Sequence, residues 1–183
     1  MNAIQKNIIP KDIDRKMTPL WYAIYVRSRY EKKVGEKLRE RQVEYFLPLV
    51  PQLRQWKDRK KKVETPLFPG YVFVHIKLAD RLSVLSIKGV AWLVSFQNQP
   101  APIPESQIND VQRLLDYPEL LEFSPHISEG DLVEITCGNL AGVQGRLIQY
   151  RGKQRILVGI ELINQALSVE VDMSWVKPLK ILS

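Results

Sequence analysis

Residues 65–76 of the chain read TPLFPGYVFVHI, an apolar pair between two prolines, a glycine turn and an aromatic-rich run. The run that starts at Tyr71 is typical of a β-strand, in which successive side chains point to opposite faces. One face would be aliphatic and the other aromatic, with Val72, Val74 and Ile76 on the first and Tyr71, Phe73 and His75 on the second. An aromatic face that stays open to solvent usually marks an interaction site.

The flanking segments predict a sheet with helices packed on it. Strands are expected at 21–26, 45–51 and 90–96, and amphipathic helices at about 29–41, 80–87 and 104–117. This order favours an α+β fold, in which one mostly antiparallel sheet has its helices on a single face. The helix-facing side would carry Tyr22, Ile24, Val26, Val72, Val74 and Ile76, and the open side Trp21, Tyr25, Tyr71 and Phe73.

A second module is predicted after residue 118. Residues 119–128 are typical of a linker, and GDLVEITCGNLAGVQGRLI at 130–148 opens a series of short β-type runs with Gly-rich turns. Short strands at even spacing predict a small all-β, SH3-like barrel. The expected organisation is a poorly ordered lead-in over 1–19, an α+β domain over 20–118, the linker, and the barrel over 129–180.

Charge is unevenly distributed between these modules. The chain carries a net charge of +7: residues 1–123 hold 21 basic and 14 acidic side chains, and residues 124–183 hold 6 of each. A basic module most often contacts nucleic acid or an acidic surface. The single cysteine, Cys137, excludes an internal disulfide. With no signal-peptide pattern and no run near the roughly 18 apolar residues of a membrane helix, we expect a cytoplasmic protein without a membrane partner.

Motifs of catalysis and cofactor binding are missing from the sequence. There is no GxGxxG, GxxxxGK[ST], HExxH, CxxC or GxSxG pattern. His75 and His126 fall in different predicted modules without ligand spacing, so each is expected to be a surface residue. We therefore expect a protein that is not an enzyme and that needs neither a cofactor nor a metal.

Two basic features are candidates for phosphate contact. The first is the run 54–62, placed as an exposed loop or hairpin tip, where Trp56 would stack on an unpaired base; a simple solvated loop is the alternative. Its candidate residues are Arg54, Trp56, Lys57, Arg59, Lys60, Lys61 and Lys62. The second is the helix stripe of Arg29, Lys33, Lys37 and Arg41, preceded by Arg27, for which a solvated face with Glu–Lys pairs competes.

Three blocks in fixed order carry a family resemblance: WYAIYVRSRYEKKVGEKLRER at 21–41, FLPLVPQ at 46–52 and TPLFPGYVFV at 65–74. Together with the KOW-like segment at 130–148, they resemble NusG-type transcription elongation factors over about residues 20–178. The resemblance implies a bacterial factor that binds the clamp helices of RNA polymerase through Tyr25, Phe68, Tyr71 and Phe73. It also implies contact with non-template or upstream DNA through Arg27, Arg29, Lys33 and Lys37.

Two departures from the general pattern favour a specialised antiterminator of selected operons, similar to the RfaH and UpxY groups. The run 54–62 is unusually basic, and Asn139 and Leu140 stand where the KOW turn of the family usually has Pro and Phe. The expected contacts of that turn with a ribosomal protein or Rho run through Gly138, Leu140, Gly142 and Gly145. The rival interpretation is a KOW-containing ribosomal or RNA-processing protein that binds RNA, and it predicts a basic barrel rather than a neutral one.

Overall fold

The structure is a computed structural model that describes residues 14, 16–56, 59–124, 130–150 and 153–179. It divides into two compact units, Met1–Glu105 and Ser106–Ser183. Within the described residues, no helix is long and apolar enough to cross a membrane. The expected lead-in 1–19 falls largely outside the described residues.

The N-terminal unit is built on a four-stranded antiparallel sheet of order β2-β5-β1-β6. Strands β1 and β5 pair in a register that sets Tyr25 opposite Tyr71 and Ala23 opposite Phe73. The elements of the unit are β1 (Leu20–Val26), α1 (Glu31–Glu40), β2 (Glu44–Phe46), β3 (Leu49–Trp56), β4 (Arg59–Pro66), β5 (Tyr71–Ile76), α2 (Arg81–Leu85), β6 (Val90–Leu93), β7 (Ser95–Phe96) and β8 (Gln99–Pro100).

The helix-facing side of this sheet agrees with the alternation in the sequence. Helix α1 presents a narrow apolar stripe, Val34 and Leu38, and α2 presents Val84, because residues three or four apart lie on one side of a helix. These side chains pack in one buried cluster with the strand residues Tyr22, Ile24, Val26, Val72, Val74 and Ile76. The predicted helix-facing set is therefore confirmed.

The prediction of an open aromatic face on the other side is wrong for two of its four residues, because Phe73 has no exposed surface and Trp21 is only 7% exposed. Phe68, expected at the polymerase contact, has no exposed surface either. Tyr25 and Tyr71 are half-buried. Strand alternation fixed which residues share this face, but not how far that face is covered.

Aromatic packing explains part of this burial. The ring of Phe73 lies 6.0 Å from that of Phe46, and 5.8 Å from that of Phe68 in an edge-to-face arrangement. Offset-stacked and edge-to-face pairs are the arrangements that aromatic rings prefer. Further along the face, Ile103 forms an antiparallel bridge with Trp21, a pairing that no pattern in the sequence predicts.

The basic run lies in a β-hairpin rather than in an open loop. Strands β3 and β4 pair over their whole length as a separate two-stranded sheet, from Leu49 opposite Pro66 to Trp56 opposite Arg59. The predicted phosphate contact Lys57 lies outside the described residues. A two-stranded ribbon is held by its backbone hydrogen bonds, so it does not need the apolar alternation that the sequence lacks.

The C-terminal unit is dominated by a six-stranded antiparallel sheet of order β14-β10-β11-β12-β13-β9. Its elements are α3 (Glu105–Leu115, in the unit from Ser106 onward), β9 (Leu121–Ser124), β10 (Leu132–Ile135), β11 (Gln144–Tyr150), β12 (Lys153–Ile160), β13 (Gln165–Glu170) and β14 (Val176–Pro178). The α+β-plus-all-β fold class is confirmed, while closure of this sheet into a barrel stays a prediction.

The boundary between the units differs from the expected one. The sequence predicts helix α3 as part of the first domain, but the compact units divide before Ser106. Part of the expected linker, Leu121–Ser124, is strand β9 and pairs with β13, setting Leu121 opposite Val169. Linker-like composition around Pro125 hid this strand, because pairing with a distant partner leaves little trace in a four-residue sequence.

Candidate functional sites

The turn that leads into β5 is held in place by a buried carboxylate. Gly70 adopts φ +83°, a conformation that residues with a side chain rarely take. Its N–H donates to Oε1 of Glu31 over 3.0 Å, and its carbonyl accepts from the backbone N–H of Val26 over 2.8 Å. Glu31 is 6% exposed, in the first turn of α1. This arrangement fixes the backbone from which Tyr71 projects.

Three aromatic rings meet where β5, β1 and β6 lie side by side. The ring of Tyr25 contacts Tyr71 edge to face, with centroids 5.4 Å apart, and stacks on Trp92 at 4.3 Å with 14° between the planes. We call Tyr25, Tyr71 and Trp92 the aromatic surface. Burial, and then the charge of a neighbouring Tyr25 phenolate, raise the pKa of Tyr71.

The members of the predicted polymerase site differ in accessibility. Tyr25 and Tyr71 present part of their rings, whereas Phe68 and Phe73 lie beneath the surface and support it. Trp92, which sequence reasoning did not single out, is 54% exposed. Its signal was its position one residue before the buried Leu93 in a predicted strand, which places it on the opposite face.

Four exposed cations gather around the end of β1, and we call Arg27, Arg29, Lys33 and Lys88 the basic crest. The backbone N–H of Arg27 donates to the carbonyl of Gly89 over 2.8 Å, which ties the end of β1 to the residue after Lys88. Lys33 Nζ lies 5.3 Å from the ring centre of Tyr30. Within the described part of the chain, no carboxylate lies within 4.0 Å of any crest cation.

Gly89 is required where the crest is closest packed. It has φ +108°, and a Cβ added there would lie 2.5 Å from the Tyr30 ring. The predicted contact Lys37 is not part of this group, because its Nζ pairs with Glu40 over 2.7 Å on the exposed side of α1. Lys88 takes its place, and only the fold that brings Gly89 to β1 could reveal it.

The hairpin brings most of the basic run onto one ribbon. Its backbone register sets Arg54 opposite Lys61, Gln55 opposite Lys60 and Leu53 opposite Lys62. Six of the nine residues of the run 54–62 are basic, a composition that suits a polyanionic partner.

In the KOW-like turn, one predicted contact residue is buried, and an exposed tryptophan that was not predicted lies beside it. Leu140 is 7% exposed, so this side chain packs inward and is not available to a partner. Gly138 and Gly142 have positive φ, at +74° and +88°. A Cβ at Gly145 would lie 2.4 Å from the carbonyl oxygen of Leu157, so this glycine serves close strand packing. The exposed apolar residue beside the turn is Trp175, at 48% exposure.

Helix α3 binds the same turn through polar groups. The guanidinium of Arg113 donates to the carbonyls of Asn139 and Ala141, over 3.2 and 2.6 Å. The carboxylate of Asp110 accepts from the backbone N–H of Gln144 over 3.4 Å. Burial raises the pKa of Asp110, against the lowering effects of the Gln144 N–H and the Arg113 charge. Hydrogen bonds from helix α3 thus hold the KOW-like turn in place.

Groups with metal-ligand chemistry do not cluster. Among the described residues there is no set of three or more His, Cys, Asp or Glu side chains that could hold a metal ion. His75 is half-buried rather than fully exposed: Nδ1 lies 2.6 Å from the Glu44 carboxylate, and the ring stacks on Trp21. His126 falls outside the described residues.

Comparison with known proteins identifies the family. Residues 19–112, just over half of the chain, match the family model described as "Transcription termination factor nusG". Transcription termination/antitermination protein NusG of Lactococcus lactis is 24% identical over 175 residues, covering 87% of this chain and 93% of the relative. NusG of Thermus thermophilus is 27% identical over 180 residues, covering 85% and 96%.

Among solved structures, the one described as "Domain interaction in Thermotoga maritima NusG" is similar at 27% identity. It has a TM-score of 0.47 and covers 90% of this chain and 99% of that one. The sequence relatives span nearly their full length in the match, and the family model covers the strands and helix that build the aromatic surface and the crest. The chain therefore belongs to the NusG family of transcription factors.

Proposed function

We propose that this chain is a non-enzymatic transcription elongation and antitermination factor, which binds the clamp helices of RNA polymerase and contacts DNA. The observation that carries the proposal is the hydrogen bond between Glu31 and Gly70, which fixes the backbone that places Tyr71 against Tyr25 on the sheet. Family membership supplies the partner, because relatives are named transcription termination/antitermination proteins. Suppression of pausing or termination follows from holding polymerase and DNA together.

The polymerase contact runs through the half-buried rings of Tyr25 and Tyr71. Tyrosine is enriched among interface residues that carry binding energy, since it combines a large apolar ring with a hydrogen-bonding hydroxyl. Phe68 and Phe73 have no exposed surface and contribute by fixing the shape beneath the two tyrosines.

The DNA contact runs through the basic crest and the β3–β4 hairpin. The crest cations are exposed and unpaired among the described residues, so phosphates can bind them without breaking an existing ion pair. Each phosphate neutralised on a single strand contributes about −0.7 to the slope of log K against log salt. Arg27→Ala should reduce that slope by about this amount, whereas Lys37→Ala, which removes a paired lysine, should not.

A specialised role at selected operons is part of the proposal. The hairpin carries most of the basic residues of 54–62 on one ribbon, which suits a DNA contact beyond phosphate binding at the crest. In the C-terminal unit, a ribosomal protein or Rho would contact Trp175 rather than the buried Leu140. The RNA-binding rival remains the weaker candidate, because the sequence that forms most of this unit carries no net charge.

The test is capture of purified RNA polymerase from the source organism by the full chain and by Tyr71→Ala. Tyr71 is half-buried, so its truncation is milder than that of the fully buried Phe73. Leu82→Ala is the matched control, because Leu82 is a 69% exposed apolar residue on α2 in the same unit. We expect the parent and the Leu82 variant to capture polymerase and the Tyr71 variant to lose at least tenfold in affinity. No capture by the folded parent would contradict the proposal.

A further inference from the structure

We propose that Trp92 is a stacking platform for an unpaired base of single-stranded nucleic acid, whose phosphates lie on the basic crest. The inference rests on the DNA contact proposed above and names its ligand: a strand with accessible bases rather than duplex alone. Stacking of bases on aromatic side chains beside a positively charged track is the common way in which proteins hold single strands.

The geometry of the indole carries the proposal. Trp92 and Tyr25 are Cα partners in the β1–β6 pair, and their rings are nearly parallel at 4.3 Å. Tyr25 therefore covers one ring face of Trp92. Strand β6 is the last strand of its sheet order, so the opposite ring face points beyond the edge of the sheet. The 54% exposure of Trp92 leaves room for a planar ring to continue the stack.

The platform is held rigid from below. Tyr25 is fixed by the edge of Tyr71 on its other side, and a Cβ placed on Gly70 would approach the Tyr25 ring to 3.0 Å, which shows how closely the turn packs there. Glu31 in turn holds Gly70. A preformed stacking surface costs less ordering entropy on binding than a mobile side chain would.

Charge decides the class of partner. Lys88 of the crest and Trp92 lie at the two ends of residues 88–92. This segment is tied to β1 at both ends, because the Gly89 carbonyl accepts from the Arg27 N–H and Trp92 pairs with Tyr25. An apolar protein surface laid over Trp92 would have to approach unpaired cations, and burying an unpaired charge is costly. A nucleic acid strand supplies a ring for the indole and phosphates for Arg27 and Lys88 at once.

The experiment compares fluorescently labelled oligonucleotides of equal length by anisotropy at low salt, using the full chain. The three ligands are a single strand with bases, a strand of abasic sites with the same phosphates, and a duplex; an RNA strand identifies the preferred sugar. The variants are Trp92→Ala, Trp92→Phe, which keeps an aromatic ring, and Leu82→Ala, which removes a 69% exposed apolar side chain from the same unit. Amide protection of β1 and β5 shows that each variant is folded.

We expect the parent to bind the base-bearing strand more tightly than the abasic strand. Trp92→Ala should weaken the base-bearing strand by about 5- to 150-fold and the abasic strand hardly at all, the range expected for loss of one stacked base. Trp92→Phe should retain most of the difference, and Leu82→Ala all of it.

Three results would overturn the inference. They are equal binding of both strands by the parent, unchanged strand binding by folded Trp92→Ala, and loss of polymerase capture by Trp92→Ala with strand binding intact. The last result would assign Trp92 to the polymerase contact. Failure of the parent to capture polymerase, by contrast, contradicts the proposed function and leaves the strand comparison to be judged separately.

Discussion

Replacing Glu31 with alanine should destabilise the N-terminal unit by about 2 kcal/mol. The carboxylate is 6% exposed and accepts the Gly70 N–H over 3.0 Å. Truncation leaves this N–H buried without its acceptor, which costs about 1–3 kcal/mol, and hydrogen bonds to charged groups lie in the upper part of that range. The turn holds Gly70 at a φ of +83°, so its N–H has few other acceptors to turn toward.

Hydrogen exchange of the full chain measures this loss within the correct unit. The amides of β1 and β5 report opening of the N-terminal sheet, and 1.4 kcal/mol corresponds to a factor of 10, so a loss of about 2 kcal/mol lowers their protection about 30-fold. The Gly70 amide itself should lose protection most, since it loses its acceptor directly. Tyr71 would then be less well positioned, and polymerase capture should weaken in parallel.

Two further variants separate loss of the Glu31–Gly70 hydrogen bond from general effects of mutating α1. Glu31→Gln keeps an amide oxygen that can accept from Gly70, so we expect roughly half the loss, because charged acceptors form bonds about twice as strong. Glu36→Ala removes an exposed carboxylate from the same helix and should change little. The reasoning would be refuted if Glu31→Ala and Glu36→Ala matched to within about 0.5 kcal/mol.

Three other changes test the packing and the titration. Phe73→Ala removes a fully buried ring and should cost about 3–5 kcal/mol in urea denaturation, so parent-like stability would contradict the burial. Gly145→Ala places a methyl group 2.4 Å from the Leu157 carbonyl oxygen and should lower amide protection of β11 and β12 while leaving β1 unchanged. Burial raises the pKa of Asp110 in the folded state. Its contribution to stability is therefore greatest when the pH lies below its pKa in the unfolded state, and it is lost as the pH rises through its pKa in the folded state. Relative to Asp110→Asn, the parent should therefore gain stability in its C-terminal unit as the pH falls from about 6 to 3, and a flat difference would exclude this role.

The sequence predicted the elements well where periodicity was strong. The alternation in β5 and β1 assigned the buried aliphatic set, and the stripe of Val34 and Leu38 located α1. It failed on accessibility: Trp21 is 7% exposed, and it pairs with Ile103, which is far away in the chain. Periodicity reports which residues share a face, whereas only tertiary packing decides whether solvent reaches it.

The membership of the candidate binding surfaces could be predicted only in part. Arg27, Arg29 and Lys33 lie together as expected, but the local pair with Glu40 removes Lys37 and the Gly89 turn adds Lys88. Trp92 was missed because its importance comes from stacking on Tyr25 across two strands. Contacts of this kind depend on strand order and register, which a single sequence constrains weakly.

The central claim is that this chain acts on transcribing polymerase through Tyr25 and Tyr71 of its aromatic surface. The most direct test is single-round transcription across a defined pause site by the polymerase of the source organism, with and without the full chain. We predict that the parent and Leu82→Ala shorten the pause, while folded Tyr71→Ala leaves it at the factor-free lifetime. A pause that the parent does not shorten, or that Tyr71→Ala shortens as well as the parent does, would contradict the account.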